Sequence, residues 1–131
     1  MIRLLIVDDE RLEREGVKYL LAQENKEWRI YETANGKDAL RILREEKIDL
    51  LLTDIKMPHM DGLELTSKAK ELYPELPVVI FSGYSDFTFA QEAIRYGVTE
   101  YMLKPVEPES FHKIINLSLI HISEPTRHSL I

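Results

Sequence analysis

The sequence predicts a doubly wound α/β domain built on a parallel sheet, and two observations carry the prediction. Short apolar runs alternate about five times with amphipathic segments, the pattern of strands joined by crossover helices. In addition, several acids, a serine and a lysine stand at the C-terminal ends of these runs. Asp8 and Asp9 follow Leu4-Leu5-Ile6-Val7, Asp54 follows Leu50-Leu51-Leu52-Thr53, Ser82 follows Val78-Val79-Ile80-Phe81, and Lys104 follows Tyr101-Met102-Leu103. Parallel strands bring such residues to one edge of a sheet, where open α/β folds place their sites.

The elements follow in order. Strands are expected near residues 3–7, 29–33, 49–53, 77–81 and 100–103. The first, third and fourth are continuously apolar, as a sheet covered on both faces requires. The second, Arg29-Ile30-Tyr31-Glu32-Thr33, alternates and reads as an edge, with Trp28 packing at its approach. Leu12, Gly16, Val17, Leu20 and Leu21 mark the first helix, and Ala39, Leu40, Ile42 and Leu43 the second, opened by Asn35-Gly36. Leu63, Leu65, Ala69 and Leu72 mark the third, with Pro74 and Pro77 bounding the loop that follows. Phe89, Ala90, Ala93 and Ile94 mark the fourth, closed by Gly97, and Phe111, Ile114 and Ile115 start the fifth.

Composition narrows the function classes. With 131 residues, 44% hydrophobic and 31% charged, the chain has room for one domain with a real core. A net charge of −6 argues against nonspecific binding to nucleic acid or to an anionic membrane, which draws on clustered Lys and Arg. The absence of cysteine excludes disulfides and thiolate metal sites. Met1-Ile2-Arg3 runs straight into the first strand and no apolar stretch approaches a membrane span, so a cytoplasmic location is expected. His59 and His112 are too scattered for a metal cluster and are expected to be exposed.

The strand-end residues carry the chemistry. Asp54, followed by Met57-Pro58-His59-Met60-Asp61-Gly62, is the best candidate for a reacting group on a shaped loop, against the plainer reading of a helix cap or a solvated acid. Three ionised carboxylates in contact repel by about 4 kcal/mol per pair at 4 Å and an effective dielectric near 20. A divalent cation compensates, and Mg²⁺ is the natural choice because it takes a few protein oxygens together with substrate oxygen and water. Asp9 has a second candidate role as cap of the first helix. Lys104 supplies a point charge for a phosphoryl oxygen; Pro105 keeps it out of helical geometry and admits a cis bond. Ser82 offers a hydroxyl beside Gly83.

Together, Val7-Asp8-Asp9-Glu10, Asp54 with Met57-Pro58-x-Met60-Asp61-Gly62, Ser82-Gly83-Tyr84 and Lys104-Pro105 resemble the receiver domain of two-component response regulators, over residues 2–116. The resemblance implies a flavodoxin-like (βα)5 fold with strand order 2-1-3-4-5. It also implies that Asp54 is the phosphoacceptor, that Asp8, Asp9, Asp54 and the backbone carbonyl of Lys56 hold Mg²⁺, and that Ser82 and Lys104 receive the phosphoryl oxygens. Tyr101 matches the aromatic switch position, its plainer reading being a strand aromatic. The implied partner is a sensor histidine kinase, and the implied output is a shift of the face made by the fourth helix, fifth strand and fifth helix, commonly a homodimer interface. The chain is then a signalling phosphoacceptor that assists its own phosphorylation and dephosphorylation, not a turnover enzyme.

Phe81 to Phe87, Ala90 to Gly97 and Lys104-Pro-Val-Glu-Pro108 resemble receivers of AraC-type, YesN-like transcription regulators. DNA binding is accordingly expected of the full-length parent and not of this piece, which shows no recognition helix or basic patch. Residues 117–127, from Leu117 to Arg127, resemble a translated sequencing adapter, so the expected division is a receiver at 1–116 with a shortened fifth helix and a non-native tail at 117–131. The alternative is a natural extension of that helix, since Leu119 and Ile122 continue the stripe of Phe111 and Ile115. Either way helix is expected to about Ile122, before Pro125 forbids it. Among rival functions, a haloacid-dehalogenase-like phosphatase expects a second Asp two residues after its nucleophile on the first strand, whereas Asp8 is followed by Asp9 and Glu10, and no cap domain fits this length. A flavin or nucleotide domain needs a glycine-rich phosphate loop that is missing here. A pseudo-receiver that signals without phosphorylation would lack site residues that this chain has.

Overall fold

The computed structural model describes residues 1–83 and 87–123. Ten elements alternate: β1 (Ile2–Val7), α1 (Arg11–Ala22), β2 (Trp28–Thr33), α2 (Gly36–Glu45), β3 (Leu50–Asp54), α3 (Gly62–Leu72), β4 (Val78–Ser82), α4 (Phe87–Arg95), β5 (Glu100–Leu103) and α5 (Pro108–Ser123). The strands form one parallel sheet in the order β2-β1-β3-β4-β5. Of the sequence expectations, Tyr84 and Pro125, and the side chains of Phe89, Ala90 and Ile122, lie outside the described residues.

The side-chain period of two along each strand divides the core into two layers. Leu5, Val7, Leu51, Ile55, Val78 and Ile80 face one way and meet Ala39, Leu40 and Leu43 of α2, Leu65 and Ala69 of α3, and Ala93 of α4. Leu4, Ile6, Leu50, Leu52, Val79, Phe81 and Met102 face the other way and meet Leu21 of α1 and Phe111 and Ile115 of α5. Both faces being covered, β3 and β4 are buried throughout, whereas β2, at the edge, has only partly buried and exposed residues. Trp28 packs on the second layer and its indole N–H donates to the Leu21 carbonyl at 3.0 Å.

Two expectations for α1 are corrected. Leu12 is 84% exposed and Gly16 is exposed, so the stripe that packs is Val17, Leu20 and Leu21. Leu12 precedes Leu21 by nine residues, which at 3.6 residues per turn places it half a turn away, and Gly16 stands about 140° away. Nor does Asp9 cap the helix: the N-cap is Glu10, which makes no side-chain capping bond. The other starts agree with the sequence. Asn35 caps α2 by accepting from the Asp38 amide, and Gly97 follows α4 at φ 83°.

α5 continues past Asn116 to Ser123, as the sequence leads one to expect. Its hold is Phe111, fully buried and stacked on Phe81 with centroids 6.5 Å apart, and Ile115 one turn on. Beyond Asn116, Ser118 is buried with its hydroxyl donating to the Ile114 carbonyl, and Leu119 packs against the same layer.

Candidate functional site

Because all five strands are parallel, their C-terminal ends share one rim, and the side chains singled out in the sequence meet there. Asp54 is the last residue of β3 and Ser82 the last of β4; Asp8 follows β1 and Lys104 follows β5. Carboxylate oxygens of Asp8, Asp9 and Asp54 lie within 4.8 Å of one another. Lys104 Nζ reaches into this group, 3.1 Å from Asp54 Oδ1 and 3.3 Å from Asp8 Oδ2. The Lys104-Pro105 bond is cis, and the Lys104 amide donates to the Ser82 carbonyl at 2.6 Å, joining the ends of β4 and β5. Ser82 is fully buried, Tyr101 is half-buried against the first core layer, and Lys56 is exposed on the loop after β3.

The β3–α3 junction fixes Asp54. The Gly62 amide donates to the Ile55 carbonyl at 2.7 Å, and a Cβ at residue 62 would stand 2.2 Å from the Asp54 carbonyl oxygen. Only glycine allows helix and strand to approach so closely. Asp61 caps α3 through the Glu64 amide, and Thr66 donates to the Gly62 carbonyl. The loop turns through His59 at φ 70° and drops Met60 against Gly36, where a Cβ would meet the Met60 sulfur at 2.6 Å. Asp8 is held by its neighbours: its Oδ1 accepts from the Glu10 amide at 2.9 Å, and its carbonyl accepts from Arg14 Nη1 at 2.8 Å.

Electrostatics set the group apart from the surface acids. Burial, followed by the charge of Asp8, pushes the Asp54 carboxyl up to about 6, with Lys104 pulling the other way. Burial also raises Asp8, opposed by the Glu10 N–H and by Lys104. For Lys104 burial works against the ammonium, but the charges of Asp8 and Asp54 outweigh it and hold its pKa above the ordinary value. A half-buried cluster in which two acids are disfavoured as anions is short of positive charge. Hard oxygens in this spread suit a cation that takes oxygens at about 2.1 Å with room for water, and Asp8, Asp9 and Asp54 could hold one.

Sequence reasoning missed Glu13, whose Oε1 stands 3.8 Å from Lys104 Nζ. Its one signal was an acid in the first turn of α1, which many helices carry. Arg14 was missed too; it spans from the Asp8 carbonyl to Glu32 of β2. His59 and His112 are exposed, and His112 pairs with Glu24 at 2.8 Å, away from the rim.

Residues 4–116 match the family described as the response regulator receiver domain. A response regulatory protein of Staphylococcus epidermidis is 32% identical over 125 residues, 95% of this chain and 49% of that protein. The transcriptional regulatory protein YesN of Bacillus subtilis is 36% identical over 111 residues, 80% of this chain and 29% of its own length. Among solved structures, a two-component transcriptional regulator AraC from Clostridium phytofermentans superposes with a TM-score of 0.83 at 30% identity, covering 98% of this chain and 99% of that one. The chain thus spans half or less of the length of these two relatives. With a sheet of this order, an acidic rim and a family match over nearly its whole described length, the chain belongs to the response regulator receiver domains.

Proposed function

We propose that Asp54 accepts a phosphoryl group from a phosphohistidine of a sensor histidine kinase, and that Asp8, Asp9 and the Lys56 carbonyl join it in holding Mg²⁺. The observation that carries this reading is the Lys104 ammonium, 3.1 Å from Asp54 and 3.3 Å from Asp8 at the C-terminal rim. Bound Mg²⁺ would neutralise the acids and orient a phosphoryl oxygen. An oxygen of Asp54 attacks phosphorus in line; the new O–P bond forms as the P–N bond breaks, and its electron pair returns to the donor imidazole. Lys104 leaves Asp54 for an equatorial oxygen, where it offsets charge that develops in the transition state. The Ser82 hydroxyl donates to another oxygen. As Ser82 is drawn toward the phosphoryl group, space opens for Tyr101 to turn inward, shifting a population between two conformations.

Ile94 and Leu103, 74% and 48% exposed, support α4, β5 and α5 as the face that reads this shift and pairs with a second copy. The names of the relatives support transcription control, through a DNA-binding domain elsewhere in the parent protein, as the output. No helix among the described residues is long and apolar enough to cross a membrane, in keeping with a cytoplasmic role. The test is incubation with a small acyl-phosphate donor and Mg²⁺, followed by intact mass. The wild type is expected to gain one phosphoryl group and Asp54→Asn none; full labelling of the variant refutes the assignment.

A further inference from the structure

Among the described residues three acids reach Lys104 Nζ within 4 Å, and they are not equivalent. Asp54 and Asp8, the two nearest, are largely buried and belong to the cluster suited to a cation. Glu13 is third, at 3.8 Å, with a side chain 45% exposed, and it comes from α1, outside that cluster. A divalent cation that takes the oxygens of Asp8 and Asp54 withdraws them from the ammonium and repels it as well. Lys104 then needs another counter-charge, and Glu13 is the acid in reach.

There is also room for the move. A cleft of about 450 Å³ opens beside the lysine, lined among others by Glu13, Gly16, Lys104, Pro105 and Val106. Gly16, one turn beyond Glu13, leaves it open: apart from its own helix backbone, no atom of the described residues lies within 4 Å of where its Cβ would stand. Arg14, next to Glu13, is engaged with Glu32 and the Asp8 carbonyl and does not compete for Glu13.

We propose that Glu13 is a positioning residue for Lys104: it takes over the ammonium when Asp8 and Asp54 turn to the cation, and holds it at the mouth of the cleft until a phosphoryl oxygen draws it back. The inference rests on the phosphoacceptor reading and deepens it. Glu13 acts through the lysine and touches neither cation nor phosphoryl group.

The test is a Mg²⁺ titration by calorimetry at low ionic strength, where pairs at the surface are least screened. Glu13→Gln is expected to raise the Mg²⁺ Kd about threefold, the scale of a half-exposed ion pair. In a Lys104→Met background the same substitution is expected to change Kd by less than about 1.5-fold, because the residue it serves is gone. An equal rise in both backgrounds would mean that Glu13 acts only as a nearby charge and would overturn the proposal, as would no rise in the wild-type background. Gly16→Leu takes up part of the cleft beside the lysine without altering a charge and is expected to raise Kd about twofold; an unchanged Kd also overturns the proposal. Labelling of Asp54 by the acyl phosphate is scored separately. Labelling without coupling between Glu13 and Lys104 defeats this inference alone, and coupling without labelling defeats the phosphoacceptor reading and with it the return of Lys104 to a phosphoryl oxygen, leaving only the hand-over to Glu13.

Discussion

The two helices that begin beside the acidic rim are held in opposite ways. α3 starts hard against the strand that carries Asp54: Gly62 meets the Asp54 and Ile55 backbone with no space for a Cβ, Asp61 caps the helix, and Leu63, Leu65, Thr66 and Ala69 are buried within it. α1 starts from Glu10 without a side-chain cap, leaves Leu12 exposed, has open space over Gly16 and buries Leu21 alone. On the proposed phosphotransfer Asp54 needs one fixed position, since effective molarity is lost with small displacements. On the same proposal Lys104 exchanges partners, and the looser helix supplies the third of them. Rigidity and slack lie about the same few atoms because one strand-to-helix junction is built on a close backbone approach and the other on ion pairs.

Gly62→Ala tests the rigid side and has the largest expected effect. The added methyl would lie 2.2 Å from a carbonyl oxygen that belongs to backbone and cannot swing away. A loss of about 3 kcal/mol is expected, at the upper end of overpacking costs, read from urea denaturation. Gly36→Ala is the control. Its methyl meets the Met60 side chain, which can re-rotate, so a loss of about 1 kcal/mol is expected. Equal losses would mean that α3 is held no more tightly than the α2 start.

Why the rigid side was legible in the sequence and the slack side was not follows from the range of the forces. Asp54 could be placed because Leu50 to Thr53 is a run that only a doubly covered strand explains, and parallel strands put their ends on one rim. Asn35 and Gly97 mark helix limits through backbone rules that act locally. Leu12 was misassigned because its apolar character was counted without its angle around the helix. Glu13 could not be found at all: its closeness to Lys104 joins residues 91 apart in sequence, and it depends on the path of α1 across the sheet. Gly62 stood out as part of a motif, but the carbonyl it faces is a fact of the folded backbone.

Between the two sides lies the charge of Asp54, and its pH dependence gauges how far the rim is strained without a cation. The carboxyl titrates near 3.8 when unfolded and at about 6 when folded. Between those values the folded protein holds more protons than the unfolded chain, so this group makes stability fall as pH rises through the window and stay level above it. Asp8, also raised, adds in the same direction. Asp54→Asn removes the ionisation and is expected to gain on the order of 1 kcal/mol over the wild type above pH 6, without Mg²⁺, and nothing below pH 4. Thermal midpoints at four pH values decide it. A variant less stable at pH 7 would mean that the Lys104 pair outweighs burial and the repulsion of Asp8.

Gly16→Ala has the smallest expected effect, opposite in sign to those of Gly62→Ala and Gly36→Ala, and bears on the slack side. An exposed helical glycine costs about 1 kcal/mol relative to alanine through backbone entropy, and a methyl at residue 16 meets nothing within 4 Å among the described residues beyond its own helix. A gain of about 0.5–1 kcal/mol is therefore expected on urea denaturation. Because a methyl is too small to close a cleft of about 450 Å³, the Mg²⁺ Kd should stay as in the wild type, unlike that of Gly16→Leu. The two readouts separate two kinds of looseness. If alanine stabilises the fold and leaves the metal titration alone, glycine at this position gives up stability for a property that only larger side chains remove, namely open space beside Lys104. If alanine stabilises and also weakens Mg²⁺ binding, the useful quantity is the flexibility of the α1 backbone, and the contrast between α1 and α3 is one of dynamics rather than of room.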